Sequence, residues 1–374
     1  MKFKAKMLIL IGGLAIIIVA GLITYLNFYL SDLQKKQTIA NFRNLAELSE
    51  GAYFSFLESM KIRAIDWSSD GNIRMMTGKV VDLSRAEEER KKIAEELGIY
   101  LKEEKMQYDP SAVIIDILDK NGMVVASSQR NRIGTDEKKE EIEFNAIHFS
   151  KAIVSNFGEA FMKSFVSKED ENNEPMMHTT TRIFSSKKDA FDKLVPLDAV
   201  MLVHFVKTDD LNDILNGRFQ EKRGALTGQA LMDYYKTAEI YLVNRNKMMI
   251  TPSRFAGEAV LARTVDTLPV RACFERGEEI TGEYLNYIGR SVLGASMCIK
   301  QHNLALVAEV GRDEIFFPIK KVRNRLIFSG FLVLLLSGFG ISLAARVLTG
   351  DLDKINARAD KVLNILLESS REKK

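Results

Sequence analysis

Apolar and polar residues divide the chain into segments of three kinds. Two runs without any charged residue, 7–30 and 326–345, each reach the ~20 residues that a helix needs to cross a bilayer. Between them, apolar residues first recur at helical spacing, up to about residue 110, and then in the short runs that are typical of strands. The pattern predicts two membrane-spanning helices with an α+β portion of the chain between them.

The charges that flank the two apolar runs predict how the chain is oriented. Three lysines precede the first run, and four basic residues follow the second, namely Arg346, Lys354, Arg358 and Lys361. Because basic residues stay on the cytoplasmic side, both ends are expected in the cytoplasm, and residues from about 31 to 325 outside it. A cleaved signal peptide is the alternative for the first run, which is longer than such a peptide requires. The interpretation is an inner (plasma) membrane protein with two spans.

The exported portion is expected to begin with two helices. Apolar residues at helical spacing from Phe42 to Trp67 predict a helical rod, which the run SSDGN at 68–72 ends. A second, highly charged helix follows Ser84, which suits an N-cap with Glu87 at the capping-box position.

One hairpin sequence occurs twice in this portion. The run IIDILDKNGMVVASS at 114–128 aligns at one fixed offset with IYLVNRNKMMITPS at 240–253. In the first copy, Asn121 and Gly122 predict a two-residue type I′ turn. A helical run and three strand candidates follow each copy. The repeat predicts two tandem modules, each a five-stranded antiparallel sheet with flanking helices.

These residues resemble the double Cache sensor domains of bacterial receptors, of the chemoreceptor and sensor histidine kinase type, whose two lobes are PAS-like. The resemblance rests on DILDKNGMVVASSQRNRIGTD in one lobe and on EIYLVNRNKMMITPSRF, TGEYLNYIGRSVLGASMCI and LVAEVGRDEIFFPIKKVR in the other. It implies a receptor that binds a small molecule outside the cell, usually in the membrane-distal lobe, and passes a small helix displacement through the membrane.

The apolar runs and the resemblance together predict where the segments of the chain begin and end. The expected segments are a cytoplasmic stub with the first span (1–30), a long signalling helix with a second helix (31–110), a membrane-distal lobe (111–217), a membrane-proximal lobe (218–325), the second span (326–346) and a cytoplasmic helix (347–374).

The expected ligand site lies in the distal lobe, between the sheet and the helix after its second strand. Amino-acid-binding members of the resembled family carry Arg-x-Trp-Tyr-x-x-Ala there, whereas 146–152 reads AIHFSKA, without the arginine. They also hold the amino group with an aspartate on the last strand, where this chain has His204 and Phe205. The usual grip on an amino acid is therefore not expected.

Other side chains are candidates for this site. His178, Thr180 and Arg182 alternate along a predicted strand and so share one face. Arg182 could pair with an anionic ligand; the alternative is that this face points to solvent or that Arg182 makes a structural ion pair. The predicted ligand-binding residues are His148, Phe149, His178, Thr180, Arg182 and His204.

The near lobe offers a second set of polar side chains. They either line another cavity or hold the sheet and its exit helix together, and they are Tyr241, Arg254, Tyr284, Tyr287, Arg290 and Glu309. Cys273 and Cys298, both in the exported portion, are expected to form a structural disulfide, with two buried free thiols as the alternative.

Several functional classes are not expected. The chain carries no phosphate loop, nucleophile elbow, zinc-protease motif or dinucleotide fingerprint, so we expect neither enzyme activity nor a cofactor. The histidines of the distal lobe have no metal-ligand spacing, so no metal is expected. A net charge of +3 on 374 residues gives no indication of a nucleic-acid partner.

The last 28 residues predict an association between copies of the chain. A heptad pattern there suits a coiled coil in a homodimer, with an amphipathic helix on the inner leaflet as the alternative; its members are Leu352, Ile355, Ala359, Val362, Leu366 and Ser369. Receptors of the resembled class usually continue into an output domain, which this sequence does not show. We therefore expect either a free-standing sensor subunit that works through a separate cytoplasmic kinase, cyclase or chemotaxis protein, or the front end of a receptor whose output domain has been lost or cut away. The competing interpretation is a membrane-anchored binding or scaffolding protein that transmits no signal.

Overall fold

The computed structural model describes residues 2–109, 111–137, 145–163, 176–206, 213, 215, 232–257 and 259–371. Over these residues the protein is α+β, with a long N-terminal helix and two antiparallel sheets. The predicted boundary between the two lobes, at 217/218, lies outside the described residues.

Three helices precede the first sheet. Helix α1 runs without a break over Lys2–Ser69 and ends at the predicted position, and α2 (Gly71–Val80) begins directly after it. The carboxylate of Asp70 caps α2 by accepting from the first free backbone N–H groups. Helix α3 spans Glu87–Tyr100 with Ala86 as its N-cap. The predicted cap at Ser84 is wrong, because its hydroxyl donates to the carboxylate of Asp82 instead (2.6 Å).

The distal sheet has the predicted five strands. They are β1 (Ala112–Asp119), β2 (Val124–Ser127), β3 (Ala160–Lys163), β4 (Met176–Lys188) and β5 (Leu194–Val206), in the order β2-β1-β5-β4-β3. Helix α4 (Asn145–Ala152) lies in the chain between β2 and β3.

The two faces of the distal sheet pack against different helices. On one face, Phe205 of β5 stacks on Trp67 of α1, with ring centroids 6.5 Å apart. The opposite face carries an apolar layer in which Leu202 packs with Phe149 and Ala152 of α4. The three central strands are therefore covered on both sides.

The proximal sheet differs from the prediction. Its strands are β6 (Glu239–Asn244), β7 (Thr281–Leu285), β8 (Ser291–Ile299) and β9 (Leu304–Gly311), in the order β6-β9-β8-β7. The expected fifth strand is not among the described residues. The second arm of the repeated hairpin makes only isolated bridges, and the N–H of Leu242 on β6 donates to the side-chain hydroxyl of Thr251 (3.0 Å) rather than to a backbone carbonyl.

Helix α5 (Leu268–Arg271) and one further turn lie against the proximal sheet. Cys273 of that turn is bonded to Cys298 of β8, with Cα atoms 5.4 Å apart. The predicted disulfide is thus present, and it ties the helical cover of this sheet to an interior strand.

The two copies of the hairpin share one turn geometry. The side chain of the first turn residue, Asp119 or Asn244, accepts from the backbone N–H four residues later, at 2.9 Å in both copies. Gly122 and Lys247 occupy the same place and both have positive φ, 85° and 60°. The predicted type I′ turn is wrong, because Asn121 is not among the residues with positive φ. The shared hydrogen bonds support the tandem repeat.

The chain divides into two compact units. One comprises Met1–Gln37 and Asp313–Lys374, and the other Thr38–Arg312. The first unit holds the beginning of α1 and nearly all of α6 (Arg312–Arg371), and it contains the close approach of Gly330 to Val19. Among the residues that the structure describes, two helical ranges are apolar enough, by length and composition alone, to contain a membrane span: Gly12–Ser69 and Arg312–Gly340.

Candidate functional site

Three charged or polar side chains meet on the central strands of the distal sheet. His178 of β4 lies directly opposite His204 of β5, and His204 lies opposite Ile114 of β1. Because side chains alternate along a strand, Asp116, two residues from Ile114, points to the same side as both histidines. This is also the side of the sheet that α4 covers.

Hydrogen bonds join the three side chains into a chain. Nε2 of His204 lies 3.2 Å from Oδ2 of Asp116, and Nδ1 of His204 lies 3.1 Å from Nε2 of His178. A carboxylate can only accept, so Nε2–H of His204 donates to Asp116. In neutral His204, Nδ1 then accepts from Nε2–H of His178.

An arginine and a second acid complete this group. The short helical turn Arg130–Arg132 after β2 directs Arg132 toward the sheet, where its Nε donates to Oδ2 of Asp116 (2.8 Å). The same guanidinium donates to the buried carboxylate of Glu137. We call these five residues the distal cluster: Asp116, Arg132, Glu137, His178 and His204.

Burial and the mutual contacts decide the protonation of the cluster. Complete burial lowers the pKa of His204 below its usual range, and His178 lowers it further, so we take the imidazole of His204 as neutral at pH 7. Burial acts to raise the pKa of Asp116, but the hydrogen bond from His204 and the charge of Arg132 hold it below its usual range. An ionised carboxylate is therefore held inside the sheet by an arginine and a neutral imidazole.

The arrangement of nitrogens does not suit a shared metal ion. The two imidazoles face each other, and His204 directs its other nitrogen to the carboxylate. Metal ligands would instead converge on one point. Among the described residues, no group of three His, Cys, Asp or Glu side chains has an arrangement that could hold a metal.

The remaining predicted ligand residues lie around the cluster or further away. Phe149 is buried in the apolar layer beside it, and His148 is half-buried on α4. Thr180 is buried and donates to the carbonyl of Phe161 on β3 (3.3 Å). Arg182 shares the histidine face in the middle of β4, where its Nε donates to the carbonyl of Leu197 (3.3 Å).

Three members of the cluster were not predicted from the sequence. Asp116 interrupts the apolar run IIDIL of β1, and a charge inside a strand with buried neighbours is a signal that could have been used. Arg132 and Glu137 lie in an ordinary polar stretch with no such signal. Only the turn after β2 brings them to the sheet.

Comparison with solved structures finds extracellular sensor domains, the class named by the sequence resemblance. The extracellular domain of the putative histidine kinase soHK1S-Z6 is 16% identical with a TM-score of 0.44, and the match covers 78% of this chain and 99% of that domain. The sensor domain of the V. cholerae histidine kinase DctB is 11% identical with a TM-score of 0.48, over 75% and 99% of the two chains.

A third match is the ligand-binding domain of the Pseudomonas aeruginosa PAO1 amino acid chemoreceptor PctB, in complex with L-Arg. It is 9% identical with a TM-score of 0.42, over 76% of this chain and 92% of that one. TM-scores below 0.5 transfer neither a ligand nor a residue's role to this protein. No family model matches the chain, and no curated protein matches its sequence.

Proposed function

We propose that the protein is a membrane-anchored sensor whose exported unit, Thr38–Arg312, binds a small polar molecule beside the distal cluster. Binding changes the position of β5 and α1, and the two membrane helices pass this change to a cytoplasmic partner such as a kinase, cyclase or chemotaxis protein. The receptor acts as a homodimer, with both chain ends in the cytoplasm.

The buried distal cluster is the observation that carries this proposal. Asp116 and His204 are 0% and 2% exposed, and the other buried residues of their strands, β1 and β5, are apolar. Burying such groups costs several kcal/mol per ion, and apolar residues of similar volume would stabilise the sheet as well or better. Groups that a fold retains at that cost, with shifted pKa values, are candidates for a functional site.

The surroundings of the cluster suit a small molecule with both polar and flat apolar parts. His178 and Thr180 provide hydrogen-bonding groups on one strand, and the ring of Phe149 lies in the apolar layer of the same face. Arg182, further along that face, is the residue that an anionic group would reach.

A short path connects this face to α1. His204 and Phe205 are neighbours on β5 and point to opposite faces of the sheet. The ring of Phe205 stacks on the ring of Trp67 of α1. A ligand that displaces His204 therefore also moves Phe205 and pushes it against Trp67. Nearer the N-terminus of the same helix, the ring of Tyr53 contacts the ring of His302 of the proximal lobe edge-on, with centroids 5.9 Å apart. Helix α1 thus contacts both lobes and continues, toward its N-terminus, into the first apolar run.

A thermal-shift screen of small metabolites on the full-length protein in detergent tests ligand binding. We expect a compound that raises the unfolding midpoint, and we expect His178→Ala to weaken its apparent affinity by about tenfold or more. The matched control is Lys188→Ala, an exposed position at the end of the same strand, which should bind normally. Binding that survives His178→Ala would contradict the proposed site, and a protein that no metabolite stabilises would favour the scaffolding interpretation.

Reporter fusions test the proposed topology. Alkaline phosphatase, which is active only outside the cytoplasm, should be active when fused after Arg312 and inactive when fused at the C-terminus. Equal activity of the two fusions would contradict two spans with both ends inside.

A further inference from the structure

The proximal sheet carries two buried glutamates side by side. Glu239 of β6 lies directly opposite Glu309 of β9, and the two residues are 3% and 1% exposed. Two like charges this close inside a protein do not both ionise unless a neighbouring group compensates them. The side chains around the pair indicate which kind of group that is.

The nearest arginines form no ion pair with the two carboxylates, although the charge of Arg254 acts to lower the pKa of Glu239. Arg254 donates to Oε1 of Glu239 only through its backbone N–H (2.7 Å), and its guanidinium donates to backbone carbonyls of the segment before β6. Arg263 lies over the ring of Tyr287 and donates to that residue's carbonyl (3.0 Å). Over the described part of the chain, neither carboxylate forms an ion pair with a lysine or arginine.

Tyrosines surround the two carboxylates. The hydroxyl of Tyr241 donates to Oε2 of Glu309 (3.1 Å), and that of Tyr287 donates to Oε2 of Glu239 (2.6 Å). By hydrogen-bond geometry, Oε1 of Glu309 and the hydroxyl of Tyr284 are both buried without a partner among the described residues. Tyr284 and Asn286 nevertheless lie near enough to the carboxylate of Glu309 to act against the rise of its pKa. We call this group the proximal cluster: Glu239, Tyr241, Tyr284, Tyr287 and Glu309.

Glu239 and Glu309 begin a row of residues that lie opposite one another on neighbouring strands, and two glycines continue this row to the edge of the sheet. Gly294 of β8 lies opposite Glu309, and Gly282 of the edge strand β7 lies opposite Gly294. A Cβ at Gly294 would lie 2.5 Å from the hydroxyl of Tyr284 and 2.9 Å from the Cβ of Glu309, so these two side chains meet over that glycine. A Cβ at Gly282 would have nothing within 4 Å, which leaves the row open at its end.

We propose that the proximal cluster binds an ammonium-type cation, either the ammonium ion or the charged amino group of a primary amine. Its N–H groups would donate to Oε1 of Glu309 and to the hydroxyl of Tyr284, the two buried atoms that lack a partner. Its charge would compensate the carboxylates, and the tyrosine rings favour a cation beside them. The open position over Gly282 is the route of entry.

A proton competes with this ligand. Burial, together with the charge of the nearby Glu239, raises the pKa of Glu309 to about 7, so near neutral pH the pair shares a proton when no other cation is bound. The titratable or charged groups that face the pair are Tyr241 of β6, Tyr284 of β7, Tyr287 of the turn after β7, and Arg254 and Arg263 of the loop after β6. The amine is therefore expected to bind more tightly at about pH 8 than at about pH 5.5.

The test compares methylammonium chloride with sodium chloride at equal concentration, using the thermal midpoint of the full-length protein in detergent. At about pH 8, methylammonium should raise the midpoint above that in sodium chloride. Glu309→Gln should weaken the apparent affinity about a hundredfold, because a charged partner is lost. Tyr284→Phe, which removes one hydroxyl and keeps both carboxylates, should weaken it about fivefold and is a second, independent variant.

Two controls separate this site from other effects. Glu278→Gln, an exposed acid of the same lobe that pairs with Arg276, should respond as the wild type does. His178→Ala in the distal lobe should also show the wild-type response to methylammonium. A failure of the proposed amine site can therefore be distinguished from a failure of the proposed sensor function. Equal midpoints in the two salts at about pH 8 would overturn the proposal and leave the pair holding a proton only. A methylammonium response that persists in both Glu309→Gln and Tyr284→Phe would overturn it as well.

Discussion

Replacing Glu309 by glutamine should stabilise the protein at alkaline pH and leave it unchanged at acid pH. Burial raises the pKa of this carboxyl from 4.5 to about 7. The folded protein therefore holds a proton that the unfolded chain has already released between these two pH values. Stability from this group is fully present below about pH 4.5 and is lost as the pH rises through about 7.

The size of the effect follows from the pKa difference. Each pKa unit corresponds to about 1.4 kcal/mol, so the rise of the Glu309 pKa from 4.5 to about 7 removes about 3 kcal/mol of stability between acid and alkaline pH. Glutamine cannot ionise, yet its carbonyl oxygen still accepts from Tyr241. In a domain of this size, about 3 kcal/mol corresponds to a rise in the midpoint of about 6 to 12 °C at about pH 8.

Thermal unfolding of the full-length protein, followed by circular dichroism from about pH 4.5 to 8, measures this difference. The control is Glu278→Gln, which removes an exposed carboxylate of the same lobe and should change the midpoint little at any pH. A glutamine variant that is less stable than the wild type at pH 8, or that keeps the wild-type pH dependence, would refute the assignment of the proton to Glu309.

Three further predictions concern packing and cross-links. Alanine at Gly98 should cost about 1 to 3 kcal/mol, because its Cβ would overlap a backbone carbonyl of β2, whereas alanine at Gly78, with only a leucine side chain at 3.8 Å, should stabilise α2; midpoints that move in the same direction would contradict this. Serine at both Cys273 and Cys298 should cost about 3 kcal/mol, because the bond spans a sequence separation of 25; an unchanged midpoint would show that the bond constrains little. His204→Ala should cost about 2 kcal/mol by removing a donor from a buried carboxylate, and an unchanged denaturation midpoint would contradict the hydrogen bond.

The hairpin repeat shows how far the sequence could predict the fold. The equal spacing of Asp119 and Asn244 within the two copies was enough to predict the same hairpin twice, and their turn hydrogen bonds agree. The type of turn was wrong, since the loop uses one residue of positive φ rather than two. The proximal sheet also lacks the predicted fifth strand in the described residues, where the hydroxyl of Thr251, rather than a backbone carbonyl, accepts from the N–H of Leu242 on β6.

The candidate site was predicted in part. The alternation of residues on β4 correctly placed His178 and Thr180 on one face, since that rule needs only one strand. The alternation rule could not predict that His178 lies beside His204 and Asp116, because the register between strands depends on side chains far apart in sequence. The sequence pattern did not indicate Arg132, yet Arg132 is the arginine that donates to Asp116. The predicted Arg182 donates to a backbone carbonyl instead.

The sequence predicts features that depend on neighbouring residues, and the tertiary structure adds those that depend on residues far apart in the chain. The sequence by itself determined the apolar runs, the helix that ends at the SSDGN stretch, the repeated hairpin and the pair of cysteines, because charge, spacing and turn residues act over a few neighbouring positions. Only the tertiary structure decided that Asp116, Arg132 and His204 share one hydrogen-bonded group and that Glu239 lies against Glu309. Both results depend on strand register, which is set when whole faces are buried together and which no short stretch of sequence contains.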